Sequence, residues 1–360
     1  LCDLQSEEMN KKINIVSSCK MGPGTFEAKF IPLSKLDIVN KIVVLRKSKG
    51  SAIAKLEYKI LPKLCKNPLL NTIVAPLMLA KLASEYKPKF LLAYHYVPHF
   101  YYAYIASLLT GIPYVLGQTG NDDQLLAVKT VKGWFLRHVI SKAIRLNVPG
   151  EKSLSFWQKM GYRHVKVLHS TIDTDYFTPL GGEKPYDFVY VGRLEEYKGA
   201  HKIISSIAKL AKSHPTVRLA VIGYGSAEES LKQMVQKLGL QDNIEFKGFQ
   251  QDTRYWLQQG RIFVMASDTE GLPCSLMEAM SCEMLCISSD VGNIADIIKD
   301  GKTGFCFKAG DQEKLNELML MAYEREAEMK EIKAAAREII VAEHSHYSAA
   351  AKWQELIDRI

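Results

Sequence analysis

The sequence predicts an α/β protein of two domains, each a parallel sheet covered by helices on both faces. Three observations carry that prediction. A chain of 360 residues is long enough for about two domains of roughly 150 residues each. Its composition, 47% apolar and 24% charged, is that of an ordinary globular protein and excludes collagen-like or disordered chains. Short β-rich runs alternate with helical segments twice over, the pattern of parallel sheets with crossover helices.

In the first half the runs are KINIVSS, KIVVLR, FLLAYHY, PYVLG, IRLNVPG and VKVLHS. The segment from Phe90 to Asn121 lacks Asp, Glu, Lys and Arg, and its length would cross a bilayer of about 30 Å. His95, Pro98, His99, Gly111 and Pro113 instead break it into strand, helix and strand. A buried βαβ unit accounts for the missing charge, because parallel strands are covered on both faces. In the second half YDFVYVG, RLAVIG, NIEFKG, RIFVMAS, LCISSD and GFCFK repeat the alternation. Between the halves, His169 to Gly182 reads as a linker with a hinge near Thr178. The expected domains are 9–178 and 183–344. Residues 345–360 form an amphipathic helix packing back on the first domain, with Trp353, Leu356 and Ile357 on one stripe. No repeat of 20 to 50 residues marks a solenoid.

Seven cysteines, an odd number without a paired framework, fit reduced thiols and a cytoplasmic enzyme. Cys282 and Cys286 have no second pair to complete a zinc clip, and His344 with His346, read as an exposed pair, gives little ground for a metal. None is expected. No secretory leader is recognised. Leu1 to Glu8 are polar, and Met9 reads as the native start.

Charge is uneven. Residues 1–180 hold 25 basic against 12 acidic side chains and residues 181–360 hold 22 against 27. Residues 11–66 alone hold 13 bases and three acids. Such a run reads either as an ordinary solvated face or as one suited to an anionic membrane surface, where each base contributes about 1 kcal/mol. Nucleic acid would add aromatic stacking, and only Phe30 and Tyr58 lie between residues 27 and 66. The expected place is therefore the cytoplasm, or the inner face of the membrane.

Glycine turns follow a strand in each half, at Gly22-Pro-Gly24 and Gly223-Tyr-Gly225. Each reads Gly-x-Gly-x-x-Glu, with Glu27 or Glu228 where a dinucleotide fingerprint needs a small residue, so nicotinamide chemistry is disfavoured. Asp300-Gly-Lys-Thr303 has Asp296 where a phosphate loop needs its first glycine and reads as a turn.

The chemistry concentrates in VGRLEEYKG and EGLPCSLMEAM. In the first, Arg193 and Lys198 follow a strand. In the second, Glu270 and Gly271 form a loop, Pro273 suits the first turn of a helix, and Glu278 lies on that helix. Free N–H groups near Gly271, Leu272, Cys274 and Ser275 at a positive helix end suit a phosphate. Two cations meeting the same anion at about 4 Å contribute roughly 4 kcal/mol each before desolvation. A diphosphate leaving group needs that compensation.

These two segments, with Glu270 and Glu278 separated by seven residues, resemble the retaining nucleotide-sugar glycosyltransferases of family 4. Their GT-B fold sets two Rossmann-like domains facing across a cleft. The resemblance is strong over residues 185–310, where IEFKGF and DVGNIADIIKDGKTGF fall in the family's order, and looser over the first half. It implies a UDP-sugar or GDP-sugar donor, with no further cofactor. Arg193 and Lys198 would hold the diphosphate, Glu278 the ribose, and Glu270 with the Gly271–Leu272 backbone the transferred sugar. Gly192, Gly223 and Pro273 shape the donor loops, the base lies near Tyr224 and Phe249, and Gly22 and Gly24 close over the phosphates from the first domain. Glu270, Arg193 and Lys198 carry catalysis. Retention follows if the leaving phosphate oxygen takes the acceptor hydroxyl's proton; a Glu270 nucleophile is disfavoured because Glu278 is needed elsewhere.

Acceptor-side candidates are His95, Gln118 and Asp122. The chain departs from the family at Gln118-Thr-Gly-Asn-Asp122, where many members have histidine; glutamine can hydrogen-bond a sugar but is no base. Glu283 and Leu285 also replace the usual Gly and Pro. The expected acceptor is a glycan or lipid-linked sugar of cell-surface polysaccharide or glycolipid synthesis. The alternatives are a nucleotide-sugar epimerase on the same fold and a non-catalytic binder of nucleotide-sugar or nucleic acid.

Overall fold

The computed structural model describes residues 12–119 and 131–360. It divides into two units, one reaching to Thr171 and including His346–Ile360, the other Ile172–Ser345. In the first unit, β1 (Ile13–Ser18), α1 (Pro23–Ser34), β2 (Val39–Arg46) and β3 (Leu56–Ile60) precede α2 (Pro68–Tyr86) and β4 (Phe90–Tyr94). Then come α3 (Tyr101–Thr110), β5 (Tyr114–Gly117), α4 (Val131–Lys142), β6 (Arg145–Val148), α5 (Glu151–Lys159) and β7 (Val165–Val167). All seven strands are parallel, in the order β3-β2-β1-β4-β5-β6-β7.

Alternate side chains of each central strand enter opposite cores. Val16, Leu91 and Ala93 pack on one face of the sheet, while Ile15, Phe90 and Leu92 pack on the other with Phe26, Phe30 and Trp353. This two-sided burial is why β4 reads as an unbroken apolar run. The charge-free stretch is β4, a turn over Tyr96–Phe100, α3 and β5. Among the described residues no helix is long and apolar enough to cross a membrane. α2 starts at Asn67, whose side chain accepts from the Leu69 and Leu70 N–H groups, an N-cap.

The second unit runs β8 (Tyr186–Val191), α6 (Ala200–Leu210), β9 (Leu219–Ile222), α7 (Glu228–Leu238), β10 (Ile244–Gly248), α8 (Thr253–Gln258) and β11 (Gly260–Met265). It continues with α9 (Cys274–Ser281), β12 (Leu285–Ser289), α10 (Ile294–Ile297), β13 (Phe305–Phe307), α11 (Gln312–Arg325) and α12 (Lys330–His344). Its parallel sheet is ordered β10-β9-β8-β11-β12-β13. Phe188 and Tyr190 enter one core, Val189 and Val191 the other. The last helix, α13 (His346–Asp358), returns to the first unit, where Trp353 stacks on Phe90 with ring centroids 6.2 Å apart.

The predicted two-domain α/β architecture is therefore present, with one strand more than the sequence disclosed. β3 is an edge strand whose Glu57 takes ion pairs from Lys41 at 3.0 Å and Lys59 at 2.7 Å; charges on an edge mask the apolar alternation and discourage pairing with another chain. His344 and His346, expected exposed, are buried, and His346 Nδ1 lies 2.9 Å from the Thr171 hydroxyl.

Candidate active site

In an open parallel sheet, ligands bind beyond the carboxyl ends of the strands where the strand order reverses. In the second unit that point lies between β8 and β11, which pair directly. The loop after β8 carries Arg193 and Lys198, and the loop after β11 carries Glu270. The topology thus brings together residues more than seventy positions apart in sequence.

Lys198 Nζ donates to Glu270 Oε1 at 2.6 Å, with side-chain exposures of 16% and 9%. The Ser267 hydroxyl donates to the same carboxylate oxygen at 2.8 Å. Arg193 stays exposed, its guanidinium hydrogen-bonded to the Tyr197 hydroxyl. The Tyr197 carbonyl accepts from the Asp268 N–H at 2.8 Å, tying the two loops together.

Glu278 lies on the second turn of α9. Its carboxyl accepts from the Thr253 hydroxyl at 3.1 Å. Burial pushes it up from the ordinary 4.5 to about 7, with the Thr253 bond acting weakly the other way. A carboxyl so placed can donate as well as accept near neutrality. Pro273, expected inside the first turn, sits one residue earlier as the cap of α9, and no side chain caps the free N–H groups behind it.

The glycines here serve close packing. A Cβ on Gly223, at φ +145°, would lie 1.8 Å from the Gly192 carbonyl oxygen. One on Gly292, at φ +61°, would lie 2.2 Å from the Glu270 carbonyl. Gly192 donates to the Ile222 carbonyl at 3.0 Å and Gly223 to that of Gly248 at 2.9 Å, so the β8, β9 and β10 ends interlock. Tyr224 and Phe249 project from these ends, 57% and 68% exposed, with ring centroids 5.5 Å apart and nearly perpendicular. Gly271 accepts from the Asn293 N–H at 2.9 Å, and Leu272 packs against the core beside α9.

In the first unit the order reverses between β1 and β4. Gly22 caps α1 and Gly24 lies in its first turn; a Cβ on either meets nothing within 4 Å, so the protein's own packing does not demand these glycines. After β4, His95 takes a left-handed backbone at φ +75°. His99 is buried with Nδ1 2.7 Å from the Ser18 hydroxyl. Burial drives the His99 imidazole down to about 3, helped by His95, Lys20, Arg46 and Lys47. Gln118 is buried at 2% exposure, its amide oxygen accepting from the Trp157 indole at 3.1 Å and its amide nitrogen 3.4 Å from the Ser153 hydroxyl. Asp122 lies outside the described residues.

Four residues of this constellation were not singled out in the sequence: Ser267, Thr253, Tyr197 and Asn293. Ser267 stands three positions before Glu270, a spacing that could have flagged it. Thr253 reaches Glu278 from a separate helix, and no linear signal connects them.

Residues 173–339 match the family described as glycosyl transferases group 1. Over 185 residues the chain is 28% identical to the amylovoran biosynthesis glycosyltransferase AmsK of Erwinia amylovora, covering 49% of this chain and 46% of that protein. It is likewise 28% identical to the putative glycosyltransferase EpsD of Bacillus subtilis, covering 50% and 53%. It is 28% identical over 171 residues to the putative colanic acid biosynthesis glycosyltransferase WcaL of Escherichia coli, covering 44% and 42%. The matched region spans about half the length, or less, of these curated relatives. In fold, the chain is similar to Anabaena Alr3699/HepE solved with UDP, at TM-score 0.81 and 16% identity over 97% of this chain and 100% of that one. The same protein with UDP-glucose gives 0.79 at 17% identity over the same shares.

Proposed function

Taking the group 1 glycosyl transferase match over residues 173–339 as premise, we propose that the protein is a retaining glycosyltransferase. It moves a sugar from a UDP-sugar or GDP-sugar to a glycan or lipid-linked acceptor, in the synthesis of cell-surface polysaccharide or glycolipid. The observation that carries this reading is the meeting of Lys198, Glu270 and Ser267 at the reversal of strand order, within the matched segment.

In the proposed mechanism the donor diphosphate lies against Arg193 and Lys198. It competes with Glu270 for the Lys198 ammonium; at about 4 Å each charge contact contributes roughly 4 kcal/mol before desolvation. Glu270, released from the ion pair but still held by Ser267, turns to the hydroxyls of the transferred sugar with the Gly271–Leu272 backbone. Glu278, neutral or ionised near pH 7, takes the ribose hydroxyls. Gly192 and Gly223 hold the loops, Pro273 opens the helix whose free N–H groups face the phosphate, and Tyr224 and Phe249 offer apolar faces to the base. The bond from the anomeric carbon to phosphate breaks as the acceptor oxygen attacks on the same face. The acceptor proton passes to the departing phosphate oxygen, and the protein's part is to stabilise the negative charge that develops there.

The donor class follows the Anabaena neighbour, which was solved with UDP and UDP-glucose, and the acceptor class follows relatives named for polysaccharide synthesis. His95 is proposed on the acceptor side. Gln118, tied to Trp157 and Ser153, orients that region from behind. Cytoplasmic placement with attachment to the inner membrane face completes the proposal.

The experiment is a panel of sugar nucleotides read by thermal shift and donor hydrolysis, because a bound donor raises stability by mass action. One sugar nucleotide that stabilises the protein and is slowly hydrolysed with the anomeric configuration kept supports the reading. Isomerised donor without acceptor would mark an epimerase, and no stabilisation by any donor would overturn the assignment.

A further inference from the structure

The outward face of α2 is apolar. Helices on a soluble surface bury one face and show polar groups on the other, as α7 does with Glu229, Lys232, Gln233 and Lys237. α2 buries Ala75, Leu79, Leu82 and Ala83, yet its exposed side presents Leu69 (77% exposed), Leu70 (43%), Ile73 (61%) and Leu77 (53%). Leu64, in the short helical turn Lys63–Lys66 just before α2, adds a fifth at 49%. Within the helix, positions 70, 73, 77 and 81 recur at intervals of three and four residues, so Leu70, Ile73, Leu77 and Lys81 share one helical stripe, and Lys66 stands in the turn just before it.

Along most of this stripe the charge has one sign, and Glu85, exposed one turn beyond Lys81, stands at its far end. Residues 58–84 contain four lysines and no Asp or Glu before Glu85. Lys63, Lys66 and Lys81 are exposed, and none of them pairs with a carboxylate among the described residues. Isolated apolar side chains on a surface need no explanation, but a contiguous row rimmed by cations does.

We propose that this face docks on an anionic lipid membrane, with Leu69, Leu70, Ile73 and Leu77 entering the headgroup–acyl boundary. Lys63, Lys66 and Lys81 meet lipid phosphates from the rim. An amphipathic helix lying in the interface buries its apolar face by about 5–10 Å, and lysine stems extend to keep their ammonium groups at the headgroups. A second copy of the chain is a poorer occupant: a symmetric contact sets the same patch against itself and brings the lysines toward like charge. The proposal rests on the reading of the protein as an enzyme serving membrane-borne acceptors, and it names the surface that brings the first unit to them.

The test is sedimentation of the full chain with vesicles of phosphatidylcholine, with and without phosphatidylglycerol, alongside the thermal shift given by UDP. Binding is expected to anionic vesicles, weakening with salt because the charge attraction is screened. The double variant Leu70→Glu with Ile73→Glu is expected to lose at least about tenfold in vesicle affinity, with its UDP shift unchanged. Replacing Lys63, Lys66 and Lys81 by Ala is expected to weaken binding and flatten its salt dependence. Vesicle binding by the double variant equal to the parent's would overturn the proposal, as would a parent dimer that the same variant dissociates. An unchanged UDP shift in the variant shows that it is folded and leaves the catalytic reading standing. A parent stabilised by neither UDP nor GDP would overturn that reading while the vesicle result stood.

Discussion

Lys198 and Glu270 hold each other at 2.6 Å while Ser267 steadies the carboxylate, so neither can change without stranding a partially buried charge. Lys198→Ala therefore removes a phosphate contact and takes from Glu270 the ammonium that neutralises it. Turnover should fall about a hundredfold or more, as when an oxyanion donor is lost. Arg193→Ala, at an exposed position, should lower turnover comparably while leaving thermal stability nearly unchanged. Steady-state rates on the best donor check both, and near-normal rates in both would remove these cations from the mechanism. Glu278 has a different signature. Its carboxyl is raised from 4.5 to about 7, so between those values the folded protein holds a proton that the unfolded chain has lost. Stability from this group is complete below pH 4.5 and declines as pH rises toward 7, by on the order of 3 kcal/mol. Denaturant unfolding across this range should show the decline, and Glu278→Gln should flatten it.

At the scale of elements, the loop ends of β8, β9 and β10 interlock through backbone contacts that leave no room for side chains. Gly223→Ala would place a methyl 1.8 Å from the Gly192 carbonyl at φ +145°, a conformation only glycine takes readily. It should cost roughly 2 kcal/mol or more and displace Tyr224, read as a lowered melting temperature together with weakened nucleotide binding. Gly22→Ala, with open space around its Cβ and φ −68°, should leave stability almost unchanged; any effect on turnover then reports an approaching ligand. The central strands were legible because both faces are buried, which makes Phe90 to Tyr94 or Ile262 to Met265 unbroken apolar runs. β3 was not, because an edge strand needs burial on neither its outer rim nor every second side chain. The partnership of Thr253 with Glu278 was equally hidden, since a hydrogen bond between two helices has no period in the sequence.

At the scale of the molecule, each unit carries two cores of its own, one on each face of its sheet, and the chain returns to the first unit through α13. Trp353, 1% exposed and stacked on Phe90, is the largest side chain α13 brings to that core. Trp353→Ala should destabilise the first unit by roughly 3–5 kcal/mol, with hydrogen exchange accelerating in β1 and β4 and little changed in β8 and β11. A bound sugar nucleotide should slow exchange chiefly around β8 and β11, where Lys198 and Glu270 sit.

The sequence by itself determined the class of fold, the two alternations of strand and helix, the amphipathic stripe of the C-terminal helix and the loops that bear charge. Each is written in local periodicity or in residues adjacent along the chain. Only the tertiary structure decided that Lys198 and Glu270 bond each other, that Glu278 is desolvated beside Thr253, and that Gln118 is taken up by Trp157. It also decided that the exposed face of α2 is the apolar one. Those outcomes depend on which segments the parallel sheets set side by side, and strand order is fixed by packing of the whole chain, not by any stretch of it.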